Sequence, residues 1–172
     1  MINVMVDLET LGKNSHSVII SIGAVEFDTM HQKLGRVFHM VVDAQSCVDA
    51  GLEIDASTVM WWLQQSQEAR EVFKAKGEPL TEVLRQFAAW YPKGAPLWGN
   101  GATFDNVILS NAYDATDLKQ PWSYTKDRCY RTLKNLMPTV KQENVGVAHN
   151  ALDDARYQAL HALKLMNSIS AI

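Results

Sequence analysis

The first ten residues, MINVMVDLET, constrain the fold more than any other stretch. Ile2, Val4 and Val6 alternate with Asn3 and Met5, the period-two pattern of a strand. Asp7 and Glu9 close the apolar run two residues apart, so both carboxylates project from the same side of an extended chain. At the end of a buried strand each loses solvation and each repels the other, an arrangement that calls for a compensating positive charge. A divalent cation is the economical candidate; the alternative is an ordinary acidic loop leaving the core.

A chain of 172 residues, 47% of them hydrophobic, suits one compact domain, and no internal repeat or low-complexity run suggests a second. No apolar stretch reaches the length of a membrane span, and Asp7 and Glu9 interrupt the N-terminal run that would otherwise imitate a signal peptide, so a cytoplasmic protein with no membrane partner is expected. Cys47 and Cys129 are far apart and form no C-x-x-C motif, which points to packed free thiols. A formal net charge of -3 argues against coating long nucleic acid by bulk electrostatics but leaves a local phosphate site open. The one clearly basic stretch carries Lys126, Arg128, Arg131, Lys134 and Lys141 against the single acid Asp127. It is read either as a solvated face or as a phosphate contact.

Two further β-rich runs, Val18–Phe27 and Val37–Val42, follow the first on short connections and predict an antiparallel meander. The period turns helical from about Thr58, with Asp55 or Ser57 as N-cap, and a short helix is expected over Gln67–Lys74. Pro79 in a first turn, then Leu80, Val83, Leu84 and Phe87, predict a helix that Pro92 and Gly94 end. The short apolar run Pro96–Trp98 leads through Gly99-Asn100-Gly101 to a helix starting near Asp105. Beyond a loop over Asp114–Pro121, an edge strand is expected at Ser123–Asp127 and a short helix at Arg131–Leu136. Gly146-Val147-Ala148-His149 then leads to Asn150 as N-cap of a final helix reaching about Asn167. These elements make an α/β sandwich.

Three more acids matter beside Asp7 and Glu9: Asp105 at a helix start, and Asp153 with Asp154 early in the last helix, one turn after His149. Carboxylate oxygens are hard ligands suited to Mg²⁺ or Mn²⁺, and two such ions about 3.5–4 Å apart can hold the attacking and leaving oxygens of a phosphodiester. A neutral imidazole can take the proton from the attacking water, the role expected of His149.

Together, Asp7-x-Glu9, Asn100-Gly101-x-x-Phe104-Asp105 and His149-Asn150-Ala151-Leu152-Asp153-Asp154 resemble, in order and spacing, the three motifs of the DEDDh group of DnaQ-like 3′-to-5′ exonucleases. The resemblance covers nearly the whole chain. It implies a single exonuclease domain over residues 1–172 with a ribonuclease H-like fold, a five-stranded mixed sheet in which strands one and four lie side by side. It makes Asp7, Glu9 and Asp154 direct ligands of two divalent ions, Mg²⁺ or Mn²⁺, with Asp7 bridging and Asp105 assisting through water, and His149 the general base. The implied activity is release of nucleoside 5′-monophosphates from 3′ ends of single-stranded or overhanging RNA or DNA; the alternative is a non-cleaving 3′-end or nucleotide binding module. Asp153, three residues after the cap, fits a helix-capping role, and the His-to-Asp spacing selects Asp154 as ligand.

The segment Thr58-Val59-Met60-Trp61-Trp62-Leu63-Gln64-Gln65-Ser66 with Trp98-Gly99-Asn100-Gly101 is similar to the small bacterial and phage group that includes RNase AS, an exoribonuclease, and phage deoxyribonucleases. That likeness suggests a homodimer and leaves the choice of RNA or DNA open. Adjacent tryptophans on a helix point about 100° apart, so Trp61 is expected to stack on a base unless both pack inward. Thr10 and Leu11 look like the positions that meet the terminal nucleotide, with Asn100 and Phe104 completing the expected substrate contacts.

Overall fold

The computed structural model describes residues 1–142 and 149–170. Strands β1 (Ile2–Thr10), β2 (Ile19–Asp28) and β3 (Lys33–Val41) form the antiparallel meander. Helices α1 (Ala44–Asp49), α2 (Ala56–Leu63) and α3 (Leu80–Trp90) follow, then strand β4 (Leu97–Gly99) and helix α4 (Asp105–Ala115). Strand β5 (Asp127–Cys129), helix α5 (Tyr130–Leu136) and helix α6 (Ala151–Ser170) complete the order. The sheet runs β3-β2-β1-β4-β5, with β4 parallel to both β1 and β5. Strands one and four are thus neighbours, as expected, and the architecture is a five-stranded mixed sheet between helical layers.

Alternation along β1 divides the molecule. Val4, Val6 and Leu8 face a core shared with Trp62, Leu84, Phe87 and Ile108 from α2, α3 and α4. Met5 faces the opposite core, with Tyr130 of α5 and Ala155, Ala159 and Ala162 of α6. Asp7 and Glu9 share the parity of Met5 and so lie on the α6 face. Alanines let α6 approach closely, and at Gly23, paired with Asp7 across the sheet, the approach is closest. A Cβ there would stand 2.1 Å from the Ala151 carbonyl carbon and 2.2 Å from the Leu152 nitrogen.

Several local expectations shift. Helix α1 was not foreseen: its six residues are too few to show a period, and Asp43 caps it by accepting from the Gln45 N–H at 3.2 Å. The Gln67–Lys74 helix contracts to a 3-10 segment, Ala69–Phe73. Strand β3 begins at Lys33, four residues before the expected Val37; Lys33, Gly35 and Arg36 are exposed and carry no apolar side chain, which hides this half of the strand from an apolar pattern. The edge strand expected at Ser123–Asp127 starts only at Asp127, since Ser123 accepts from the Thr125 N–H and turns Tyr124–Lys126 into a 3-10 turn. Pro79 stands just before α3 rather than in its first turn, and α6 runs three residues beyond Asn167. Gly146, Val147 and Ala148 lie outside the described residues. Among those described, no helix is long and apolar enough to cross a membrane.

Candidate active site

The carboxyl end of β1, the turn after β4 and the start of α6 meet around a cavity of about 650 Å³. Asp7 and Glu9 enter it from β1, Asp154 from α6, and His149 from the residue just before the Asn150 cap. Ligating atoms of Glu9, His149 and Asp154 lie within 4.8 Å of one another. His149 adopts a left-handed backbone, φ 63°, a conformation that disfavours a non-glycine residue, and its N–H donates to Asp154 Oδ2 at 3.1 Å. Asn150 accepts from the Asp153 N–H at 3.2 Å, so the cap sets the turn that presents His149 and Asp154 together.

The electrostatics are those of crowded, desolvated acids. Burial pushes Glu9 up to about 8, with repulsion from Asp154 and Asp105 adding to it. Asp7 is raised well above the usual carboxylate range, first by burial and then by Asp105, Glu9 and Asp154, while the amide of Gln158 pulls it back. That amide donates to Asp7 Oδ1 at 2.8 Å. Asp154 is raised mainly by burial and restrained by the His149 N–H. Among the described residues no Lys or Arg forms an ion pair with any of these acids.

Asp105 is placed differently. It is buried behind the cavity, where its Oδ1 accepts from the Leu8 N–H at 3.2 Å. Burial raises it to about 7, opposed by the N–H donors of Leu8 and Asn100 and by Arg131. Its role in the fold is to tie β1 to the β4–α4 turn. Gly99 makes room for it, since a Cβ there would stand 2.9 Å from the Asp105 Cβ.

The tryptophans divide as their spacing requires. Trp62 is buried and donates from Nε1 to the Thr10 carbonyl at 2.9 Å, whereas Trp61 is 41% exposed; both line the cavity. The Trp61 and Trp62 rings stand edge-on to the His149 imidazole at 5.0 and 6.2 Å. Thr10, Asn100 and Phe104 also line the cavity; Leu11 instead lines a neighbouring apolar groove with Leu63 and Phe73. Sequence reasoning missed Gln158, Gln142 and Thr58 on the cavity wall, and Gly23 behind it. The glycine inside a β-rich run was the one available signal, marking a close backbone approach.

The donor set fits a hard divalent cation: clustered carboxylate oxygens, strongly destabilised as anions, with Lys13 on the cavity wall but no Lys or Arg in ion-pair contact with them among the described residues. Gln158 Oε1, Asn100 Oδ1 and Thr58 Oγ1 are buried on the cavity wall without a protein partner among the described residues, as expected of a site that receives a polar ligand.

Comparison with known proteins agrees with this geometry. The family described as the 3′-5′ exoribonuclease Rv2179c-like domain matches residues 2–166. A search of curated protein sequences returned no match. The fold is similar to that of the nuclease domain of 3′hExo, a DEDDh family member bound to rAMP, at 14% identity and a TM-score of 0.65, covering 97% of this chain and 92% of that one. It is also similar to exonuclease I from Methylocaldum szegediense, at 15% identity and a TM-score of 0.65, covering 99% of this chain but 43% of the larger protein. Cell-death related nuclease 4 aligns over 97% of this chain and 64% of its own, with 13% identity and a TM-score of 0.57.

Proposed function

Because this chain belongs to the Rv2179c-like 3′-5′ exoribonuclease family and is a 3′-5′ exonuclease, we propose that it hydrolyses the terminal phosphodiester of single-stranded or overhanging RNA at the cavity bounded by Asp7, Glu9, His149 and Asp154. The observation that carries this reading is the convergence of three carboxylates and an imidazole on one cavity, where Lys13 also stands but where, among the described residues, no Lys or Arg forms an ion pair with those carboxylates. Membership of the DEDDh group implies divalent-metal dependence. Asp7, Glu9 and Asp154 would hold two such ions, Mg²⁺ or Mn²⁺. When bound they supply Lewis-acid stabilisation of the charge that develops on the phosphoryl oxygens and the leaving oxygen.

The chain's own residues do the rest. Gln158 fixes the rotamer of Asp7, and Asp105 fixes the end of β1 through the Leu8 amide. The His149 imidazole accepts a proton from the water that attacks phosphorus. The bond from phosphorus to the 3′-oxygen of the penultimate nucleotide breaks, that oxygen takes a proton from solvent, and a nucleoside 5′-monophosphate leaves. Trp61 offers the exposed face on which the terminal base stacks, with Thr10, Asn100 and Phe104 around it. Leu11 supports the turn from the adjacent groove rather than meeting the nucleotide directly.

The domain spans residues 1–172 and acts in the cytoplasm as a homodimer. Exposed Met60, Leu63 and Phe73 beside the groove offer the apolar surface for that contact, and light scattering at micromolar concentration reads its mass. Activity is tested on 5′-labelled RNA and DNA of one sequence with Mg²⁺, Mn²⁺ or EDTA. The expected result is a ladder shortening one nucleotide at a time from the 3′ end, faster on RNA and abolished by EDTA. Faster DNA cleavage would reassign the substrate, and binding without cleavage would favour a non-cutting 3′-end module.

A further inference from the structure

The hydrolytic site leaves the basic stretch of the sequence without a role, and in the fold its members part ways. Arg128 spends its guanidinium on the Thr125 and Asp127 carbonyls, at 3.0 and 2.8 Å, and the Lys134 ammonium lies 5.5 Å from the centre of the Tyr130 ring. Among the described residues Arg131 alone of the stretch bonds to the cavity wall, donating from Nη2 to the Asn100 carbonyl at 2.6 Å. Strand register explains the meeting. Parallel β4 and β5 pair Gly99 with Cys129, so two residues further along each chain Gly101 comes beside Arg131.

Gly101 gives the guanidinium a seat. Its φ of 122° suits glycine, and a Cβ there would stand 3.5 Å from Arg131 Cζ, 3.5 Å from Nη2 and 3.7 Å from Nη1. Such nearly equal distances mean that the flat face of the group rests on the turn, which leaves its N–H donors, lying in the plane, directed past it. Asn100 takes one of them; the others find no protein acceptor, and the charge no carboxylate in ion-pair contact, among the described residues. Yet Arg131 is exposed and its charge reaches inward far enough to oppose the rise of Asp105.

A planar fork held in one orientation, with donors unspent, matches two oxygens of a phosphate better than a point charge would. Position decides which phosphate. Arg131 bonds to the wall without itself lining the cavity, so it stands on the rim, outside the reach of the bond that the carboxylates surround. A strand whose 3′ end lies among those carboxylates crosses the rim on its way out, and every linkage outside the cavity is upstream of the cut. We propose that Arg131 binds a backbone phosphate of the strand upstream of the bond to be cut, with Asn100 and Gly101 holding the guanidinium in place. This rests on the exonuclease reading for the direction of the strand.

The test compares the wild type with Arg131→Ala on oligoadenylates of two to six nucleotides that carry a 5′-hydroxyl. A dinucleotide of this kind has the scissile phosphate and no other, so it reads any effect of Arg131 on the cavity wall alone. Initial rates in Mg²⁺ are expected to show a loss of kcat/KM on the longer strands that exceeds the loss on the dinucleotide by about five- to tenfold, appearing at the length that first supplies the contacted phosphate. A second readout is the Kd of 5′-labelled hexaadenylate, by fluorescence anisotropy in Ca²⁺ across a range of KCl. Losing one phosphate contact is expected to make the slope of log K against log salt shallower by about 0.7, the single-strand value. Melting curves identify a variant that has lost its fold; Arg131→Lys then takes its place, expected to keep the salt slope and to raise Kd through loss of the fork. The same fractional loss at every length, no loss at any length, or parallel salt slopes for wild type and Arg131→Ala would overturn the proposal. A wild type that binds hexaadenylate but does not cut it in Mg²⁺ sinks the exonuclease reading and leaves the salt slopes to decide this one; failure to bind any strand overturns both.

Discussion

Glu9 is a carboxylate in need of a counter-charge, because it is buried, held up to about 8, and faces Asp154 and His149 within ligand distance. Removing a neighbouring negative charge should therefore have opposite effects on stability and on chemistry. Asp154→Asn is expected to abolish measurable cleavage while raising the melting temperature of the metal-free protein; cleavage at the wild-type rate would remove Asp154 from the site. His149→Ala should lower kcat by about 10²-fold or more, the range for loss of a positioned base, with its effect shrinking as the pH rises and hydroxide competes. A pH–rate profile unchanged in shape and height would contradict that role. Trp61 stands edge-on to the same imidazole, so Trp61→Ala should weaken strand binding by about 1–3 kcal/mol if its open face stacks on a base. Equal binding with a lowered melting temperature would show that it only packs against Trp62 and His149.

The elements place these side chains through one close approach, that of the α6 start to the sheet at Gly23. Gly23→Ala puts a methyl carbon 2.1 Å from the Ala151 backbone, which cannot move without moving His149 and Asp154. The expected outcome is a loss of at least the ~1–3 kcal/mol typical of overpacking, measured by denaturant melts, together with loss of cleavage. A stable, fully active variant would mean that α6 docks more loosely than described. Much of this was legible from the sequence. The Ile2-Val4-Val6 alternation ending in Asp7 and Glu9 points to β1 and to a shared side for its acids, and the spacing from His149 past the Asn150 cap points to Asp154, which the structure brings to the same cavity. Other features are written only in three dimensions. Gln158 reads as a polar position on a helix and becomes significant because Asp7 lies opposite it. Asp105 matches the motif, yet its oxygen turns to the Leu8 amide behind the cavity, a preference set by the packing of α4 against β1. Helix α1 is too short for periodicity, and the Tyr130–His161 pair joins positions 31 residues apart that share no local pattern.

At the scale of the molecule, the acidic site sets how stability depends on pH. A carboxyl whose folded-state pKa lies above its unfolded value favours folding fully below the unfolded value, and that contribution is lost as pH rises through the folded one. For Glu9 the window runs from about 4.5 to about 8, for Asp105 from about 3.8 to about 7, and Asp7 and Asp154 shift in the same direction. The metal-free protein should therefore lose stability across this span, as read by melting temperatures in EDTA, and Asp154→Asn should flatten the decline. A divalent cation that binds the ionised cluster reverses the loss by mass action, by about 3 kcal/mol at a hundredfold excess over Kd. For a chain of this size that is roughly 5–10 °C. The most direct measurement is thus the melting temperature at pH 8 in EDTA and in saturating Mg²⁺, for the wild type and for Asp154→Asn. A wild-type rise of several degrees that the variant lacks, with the variant melting higher in EDTA, is the predicted result; a wild type indifferent to Mg²⁺ and Mn²⁺ would contradict the assignment of Asp7, Glu9 and Asp154 as a metal-dependent hydrolytic centre.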